Sequence, residues 1–356
     1  MPLNTIITGT GSYIPSIIQK NSDFLNHTFL HEDGTPFKDD NATIIEKFKA
    51  ITGIEERRYA IDELNSSDLA YRAAKKSIED AGIDKEELDY IIVAHNFGDV
   101  NKGVQQSDFL PSMSTRVKHH LEIKNPSCVA YDLVFGCPGW VEGLIQAHAF
   151  IKAGMAKKVL VIGSETLSRV VDKHDRDAMI YSDGAGAAIV EAKEEPEQRG
   201  ILGTITRTDT YKEAYYLHFG KSFDKNADPD IRYIKMFGRK IYEYALTTVP
   251  EAMKTVLDKA SVSIADLKKI FIHQANEKMD EGIIKRFFRL YKIPTPEGVM
   301  PMSIHLLGNS SVATIPTLYD CVLKNKIQNQ KVEKDDVILF ASVGSGMNVN
   351  AIVYKL

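Results

Sequence analysis

Cysteine is scarce in this chain, and long apolar runs are absent. Three cysteines, Cys128, Cys137 and Cys321, stand among 356 residues, too few for a disulfide framework. Their number and spacing fit a reducing compartment, so a cytoplasmic location is expected. No uninterrupted apolar stretch reaches the ~20 residues that span a bilayer. The N-terminal MPLNTIITGTGSYIP has no basic segment leading into a long apolar one, so no secretory signal is expected. Net charge is only -4, which gives no general attraction to nucleic acid. Residues 3–8 read as a strand that ends at Gly9-Thr-Gly11, where a dinucleotide loop would need a third glycine. Position 14 is Ile instead, and Pro15 interrupts the helix that should follow.

What is present is ample core material. Hydrophobic residues make up 44% of the chain, enough for one large domain or two medium ones. Apolar strands alternate with helical patterns, which makes an α/β protein. Strands are expected at 88–94, 129–135, 158–163, 182–190, 268–272, 336–342 and 348–355. Helices are expected at about 67–81, 112–120, 140–152, 237–260 and 276–289, with another ending near 324. Residues 21–45 read as a polar surface excursion. Residues 193–235 read as polar and irregular, and divide the chain into halves at 1–192 and 193–356.

The halves resemble each other. Residues 81–93 lie over 260–272 at a separation of 179 (81 to 260), matching helix end, spacer, leucine and strand. Residues 159–165 match 337–343 at a separation of 178 (159 to 337), and a Gly-x-Gly turn and a final apolar strand follow in both. A pseudo-twofold pairing of such halves brings loop ends from both into one cleft, where ligands commonly bind.

Three residues could do chemistry there. Cys137 follows the run 129–135 and Gly136, and precedes Pro138-Gly139 and a helix. It therefore sits at a strand-to-helix elbow, with proline placed where a helix start lacks an N–H partner anyway. Free N–H groups and the helix dipole favour a thiolate at such a position, and a low-pKa cysteine on a tight turn is a candidate nucleophile. The plainer reading is a small core residue. His273 follows Ile270-Phe-Ile at a strand end. Asn309 follows Gly308 and precedes Ser310-Ser311, an N-cap context.

Residues 129–143, 158–192, 272–276, 308–316 and 344–353 together resemble the thiolase-fold condensing enzymes, in particular β-ketoacyl-acyl-carrier-protein synthase III. The motifs are Asp183-Gly-Ala-Gly-Ala, His273-Gln-Ala-Asn and Gly308-Asn-Ser-Ser, in that order after the cysteine elbow. The resemblance implies a five-layered αβαβα fold of two duplicated halves and a homodimeric acyltransferase of fatty acid or related lipid metabolism. Cys137 would hold an acyl group taken from a thioester of coenzyme A or acyl carrier protein. The backbone N–H groups of Cys137 and Ser345 would form the oxyanion hole. His273 and Asn309 would donate to the carbonyl of a malonyl or β-ketoacyl thioester and stabilise the enolate left as CO2 departs. No metal or cofactor is implied.

The sequence also departs from the family. Pro138 follows the cysteine, and Trp140 follows the glycine. Arg176 matches an arginine that clamps the adenine of coenzyme A, but the matching tryptophan position falls at Lys47. Arg239, after Gly238, replaces an asparagine by the pantetheine channel, and Leu110 stands where an aromatic residue from the partner floors the acyl pocket. Leu110, Trp140, Arg176, Gly238 and Arg239 are therefore the expected substrate contacts, and Lys278 the expected contact for an acidic carrier protein. Alternative readings are a specialised condensing enzyme of aryl-polyene or dialkylresorcinol type, a papain-like Cys-His-Asn hydrolase and a scaffold subunit. The duplicated layout disfavours the hydrolase, and the intact Cys137 disfavours the scaffold.

Overall fold

The computed structural model describes residues 1–104 and 106–356. The first half contains β1 (Leu3–Tyr13), β2 (Ile17–Lys20), α1 (Asn41–Thr52), β3 (Glu56–Tyr59) and α2 (Ser66–Ala81). It continues with β4 (Tyr90–His95), β5 (Asp99–Val100), β6 (Ser107–Asp108), α3 (Met113–His120), β7 (Val129–Val134), α4 (Gly139–Lys152), β8 (Lys158–Thr166) and β9 (Asp183–Glu194). The second half begins with β10 (Gly200–Thr208), β11 (Leu217–Gly220), β12 (Tyr233–Met236), α5 (Gly238–Lys259) and β13 (Leu267–Ile272). It ends with α6 (Glu277–Leu290), α7 (Ile304–Leu307), α8 (Thr314–Leu323), β14 (Val337–Gly344) and β15 (Asn348–Lys355). No helix is long and apolar enough to cross a membrane among the described residues.

The duplication is visible in the strand order. One half runs β7-β4-β8-β9-β1, the other β13-β14-β15-β10, and the two join through a single parallel contact between Thr5 and Gly200. Each half sets parallel strands beside antiparallel ones in the same sequence. Beside β13, the N–H of Ile270 donates to the carbonyl of Val299, so unlabelled chain occupies the place that β7 fills in the first half.

Five layers follow from which faces are apolar. Leu69, Ala73 and Ile78 of α2 and Met113 and Val117 of α3 cover one outer face. Met253, Val256, Ile283 and Phe287 of α5 and α6 cover the other. Between the sheets lie α4 and α8, and here Trp140, Leu144, Leu318 and Tyr319 meet Val161 from one sheet and Phe340 from the other. This central layer holds the halves in fixed register, since burying one such side chain stabilises by about 1.5–3 kcal/mol.

Several expectations need correction. β1 does not end at Gly9-Thr-Gly11 but runs on to Tyr13. The backbone of α2 lies against these glycines, so that a Cβ on Gly9 would stand 2.5 Å from the Ser77 carbonyl oxygen, and one on Gly11 2.4 Å from that of Ala73. The glycines allow close helix packing and make no turn. The stretch 129–135 is not a buried strand. It ends at Val134 and lies at the sheet edge, with Val129 47% and Val134 63% exposed. Residues 21–45 are more than a surface excursion, because Phe24, Phe29 and Ile44 are buried in a fourth cluster with Phe48 and Ile180. Residues 193–235 contain β10, a strand of the second half, and the β11–β12 hairpin. The cap of α2 is Asn65, whose N–H donates to Asp68, and Gly82 stops the helix at φ 64.

Candidate active site

The Cys137 elbow is held from both halves. Gly136, at φ 68, makes the turn after β7. The backbone of Ser345 lies so close that a Cβ on Gly136 would stand 2.8 Å from its carbonyl oxygen and 2.9 Å from its nitrogen. Gly344 approaches from the other side, where a Cβ would lie 2.6 Å from the Cys137 nitrogen. The backbone N–H groups of Cys137 and Ser345 are therefore neighbours across a glycine-lined contact. Two asparagines of β15 pin this contact. Asn348 Nδ2 donates to the carbonyls of Phe135 and Ser345, at 3.2 and 2.7 Å, and Asn350 Nδ2 donates to that of Pro138, at 3.0 Å.

Pro138 is the N-cap of α4, and Cys137 lies just before it. The thiol was expected to be low. Instead burial pushes it up to about 11, against a lowering hydrogen bond from Ser311, while the nearby Glu165 carboxylate pushes it further up. Ser311 Oγ donates to Cys137 Sγ at 3.2 Å. The helix start alone does not offset this desolvation.

His273 follows β13, where its backbone N–H donates to the Ala341 carbonyl at 2.9 Å. The adjacent Gln274 is locked by donating to Pro301 and accepting from Ser303, at 2.7 and 2.9 Å, which fixes the backbone that carries His273. Burial drives the imidazole down to about 4, opposed by a hydrogen bond to the Ser311 backbone, so it is neutral at physiological pH. Asn309 does not cap α8, which starts at Thr314. Its Oδ1 instead accepts the N–H of Ser311 at 2.7 Å, two residues on. With its oxygen so engaged, the amide presents Nδ2 as a free donor.

Cys137, His273, Asn309 and Ser345 line one cavity of about 980 Å³. Its walls are mostly apolar, with Phe48, Ile180, Leu217, Phe219, Ile234 and Met236 contributed by α1, the segment before β9 and the β11–β12 hairpin. Lys47, Arg176, Gly238 and Arg239 line it as well. Arg239 is 91% exposed and pairs with Glu243 at 2.9 Å, and Lys47 pairs with Asp39 at 2.6 Å. The Arg176 guanidinium lies 5.6 Å from the centre of the Phe37 ring, which stacks on His31 at 4.0 Å.

The remaining expected residues lie elsewhere. Trp140 does not touch substrate space. It is 1% exposed, in the central layer, where its Nε1–H donates to the Val161 carbonyl at 3.3 Å and its ring meets Phe340 edge-on. It points inward because α4 buries that face between the sheets. Leu110 is 89% exposed on the loop between β6 and α3, outside the cavity of this chain. Lys278 is exposed on the first turn of α6.

Sequence reading missed Ser311, Asn96 and Glu165, which meet beside Cys137, and missed Phe37, which lies against Arg176. The available signal was position: Asn96 directly follows β4, and Glu165 lies near the end of β8.

Residues 131–210 match the family described as 3-oxoacyl-[acyl-carrier-protein] synthase III, and residues 257–356 match its C-terminal family. A β-ketoacyl-[acyl-carrier-protein] synthase III of Ruegeria pomeroyi is 31% identical over 355 residues, 98% of this chain and 98% of that protein. A β-ketoacyl-[acyl-carrier-protein] synthase III 1 of Vibrio vulnificus is 34% identical over 96% of both chains. The crystal structure of 3-oxoacyl-[acyl-carrier-protein] synthase III from Aquifex aeolicus superimposes with a TM-score of 0.81 at 30% identity, covering 99% of this chain and 100% of that one.

Proposed function

The chain belongs to the 3-oxoacyl-[acyl-carrier-protein] synthase III family, and we propose from that membership that it is an acyltransferase performing decarboxylative condensation. Cys137 attacks an acyl thioester. The new C–S bond forms as the donor's breaks, and one proton passes net from the Cys137 thiol to the departing thiol. Negative charge on the carbonyl oxygen is met by the N–H groups of Cys137 and Ser345. A malonyl or β-ketoacyl thioester on carrier protein then enters. In the malonyl case CO2 leaves, and the enolate is met by donors from His273 and Asn309. The enolate carbon attacks the acyl carbonyl, giving a β-ketoacyl thioester and returning Cys137 as thiolate, which takes up a proton.

The observation that carries this reading is one cavity lined by Cys137, His273 and Asn309 from the two halves, 1–192 and 193–356. The neutral His273 supports it, because an imidazole that stays uncharged donates through one nitrogen without holding malonate's carboxylate in place. The acyl donor is read as carrier-bound. Arg176 lies against the Phe37 ring, and a lysine tied to Asp39, Lys47, stands where an aromatic ring would complete the adenine clamp, which supports a donor other than coenzyme A. Lys278 would receive the acidic carrier. A homodimer is read from the exposed edge strand β7 and the exposed Leu110 nearby in the chain, and a cytoplasmic location from three free cysteines. This donor preference also keeps open a specialised condensing role outside primary fatty acid synthesis.

Incubation with acyl-carrier protein should add one acyl mass to Cys137, and malonyl-carrier protein should then release CO2 and the β-ketoacyl product. Absence of the adduct on Cys137, or turnover without the malonyl partner, would overturn the reading.

A further inference from the structure

Ser311 has a backbone conformation that its residue type does not favour. It lies at φ 52, in the left-handed region. Six other non-glycine residues share positive φ among the described residues, and all six are exposed, in turns and at element ends. Ser311 alone is buried. A glycine would sit there without conflict. What serine adds is a hydroxyl, and that hydroxyl is directed.

Three other residues set its direction. Glu165 Oε1 accepts the backbone N–H of Asn96 at 2.7 Å and also accepts from Asn96 Nδ2. The same Nδ2 donates its second hydrogen to Ser311 Oγ at 2.9 Å. Asn309 Oδ1 holds the Ser311 N–H. Ser311 Oγ thus accepts from Asn96, and its own proton points to Cys137 Sγ, 3.2 Å away. A hydroxyl so oriented favours a thiolate over a thiol, since a hydrogen bond to the charged form stabilises that form. Among the described residues, no basic side chain acts on the Cys137 thiol. Besides its own backbone, the groups that do are Ser311 and Glu165; the phenol of Tyr181 feels the Cys137 charge, and neutral His273 lines the same cavity.

We propose that Ser311 is a catalytic residue that donates its hydroxyl hydrogen to the Cys137 thiolate, and that Asn96 and Glu165 are positioning residues that aim it. The proposal deepens the condensation reading, on which its catalytic part rests. Charge sits on Sγ twice in that cycle, before the donor is attacked and as the C–S bond to the acyl group breaks. It is absent from the acyl-enzyme between them. A fixed donor therefore stabilises the reacting states more than the resting thioester.

The test needs no substrate. Iodoacetamide alkylates the thiolate, so its rate against pH reports how readily Cys137 ionises, with the site of labelling read by mass spectrometry. In Ser311→Ala the midpoint should move up by about one to two pH units, with a roughly 10- to 100-fold slower rate at pH 7, the loss expected for a charge-assisted donor. Ser311→Gly should show the same rise while melting no lower than Ser311→Ala, because both lose the hydroxyl and only glycine accepts φ 52 without cost. This variant separates a lost donor from a damaged fold. Asn96→Ala should raise the midpoint part of the way. Glu165→Gln should not raise it, because the amide oxygen still accepts from Asn96 and a carboxyl that disfavours the thiolate is removed. An unchanged midpoint in both Ser311 variants would overturn the proposal. If the midpoint rises but wild-type protein forms no acyl adduct, the condensation reading fails and the donor role stands.

Discussion

Replacing Gly344 with alanine tests whether the two halves must touch for the site to work. Gly344 ends β14, and its φ lies outside the left-handed region, so alanine meets no backbone conflict of its own. The conflict is steric. The new Cβ would stand 2.6 Å from the Cys137 nitrogen, 2.7 Å from Pro138 Cδ and 2.8 Å from Cys137 Cβ, whereas ordinary contact begins at 3.4 Å. These atoms belong to the elbow's backbone or lie one bond from it, so no flexible side-chain end can swing away. The elbow and the Ser345 turn must separate by most of an ångström. A displacement of about 1 Å at reacting groups costs roughly 10²-fold in rate, and loss of one oxyanion donor roughly 10²–10³-fold. Overpacking alone should lower stability by about 1–3 kcal/mol. Condensation would be followed by CO2 release, with thermal melting in parallel. The matched control is Gly282→Ala on α6, where the nearest atom, 2.7 Å away, is the tip of the Leu246 side chain and can move. The expected result is about a 100-fold fall in kcat for Gly344→Ala, with the fold retained, and little change for Gly282→Ala. Activity within threefold of wild type in Gly344→Ala would refute the reasoning.

Trp140→Ala should cost about 3–5 kcal/mol in chemical denaturation, because a fully buried indole is removed, while Trp140→Phe should leave KM for the acyl donor unchanged; a raised KM would return Trp140 to the substrate site. Glu165 sets a pH dependence of stability. Burial raises its carboxyl from 4.5 to about 8, so the folded state resists ionisation and stability falls as pH rises through that window, by up to about 1.4 kcal/mol per pH unit. The stability gap between Glu165→Gln and the parent should therefore widen from pH 5 to 8 in urea titrations, and a constant gap would contradict the assignment. Lys278→Glu should raise KM for malonyl-carrier protein about tenfold at low salt and leave malonyl-coenzyme A unaffected, because the docking proposed for Lys278 involves only the acidic carrier. Val134→Lys should convert the proposed homodimer to monomer in sedimentation, because β7 is an edge strand with exposed valines.

Much of the fold was legible because its signals are local. The repeated spacing of 81–93 and 260–272 is borne out by matching strand orders in the two halves. The Gly136-Cys137-Pro138 elbow was legible because a strand, a turn and a helix start each have their own residue preferences. Features that depend on partners distant in sequence were not. Gly9 and Gly11 look like a loop until α2 is seen lying on them. The apolar run at 129–135 reads the same whether a strand is central or at an edge, so its exposure could not be read. Trp140 next to a nucleophile invites a substrate role, yet helix geometry turns it into the central layer. Asn96, Glu165 and Ser311 are 69 and 146 residues apart along the chain (96 to 165, 165 to 311), and nothing in any one segment says that they meet.

The electrostatics of the cavity explain why such a network is needed. The proposed condensation asks for two things that conflict. The Cys137 sulfur must carry negative charge, which a nearby cation would favour. Malonate must lose its carboxylate, which a nearby cation would oppose by stabilising the anion before CO2 leaves. The groups are arranged to avoid a permanent positive charge at the centre. His273 is held neutral by burial, and no lysine or arginine among the described residues acts on the thiol. Arg239, which lines the cavity with an exposed side chain, is the cation we propose for an anionic pantetheine phosphate. Ionisation of Cys137 is then left to fixed dipoles: the start of α4, the backbone N–H groups and the Ser311 hydroxyl. Dipoles of this kind stabilise charge on sulfur at short range and act only weakly on a carboxylate farther off. A lysine in place of Asn96 or Ser311 would raise thiolate content and still slow condensation, whereas an enzyme limited only by nucleophile strength would speed up.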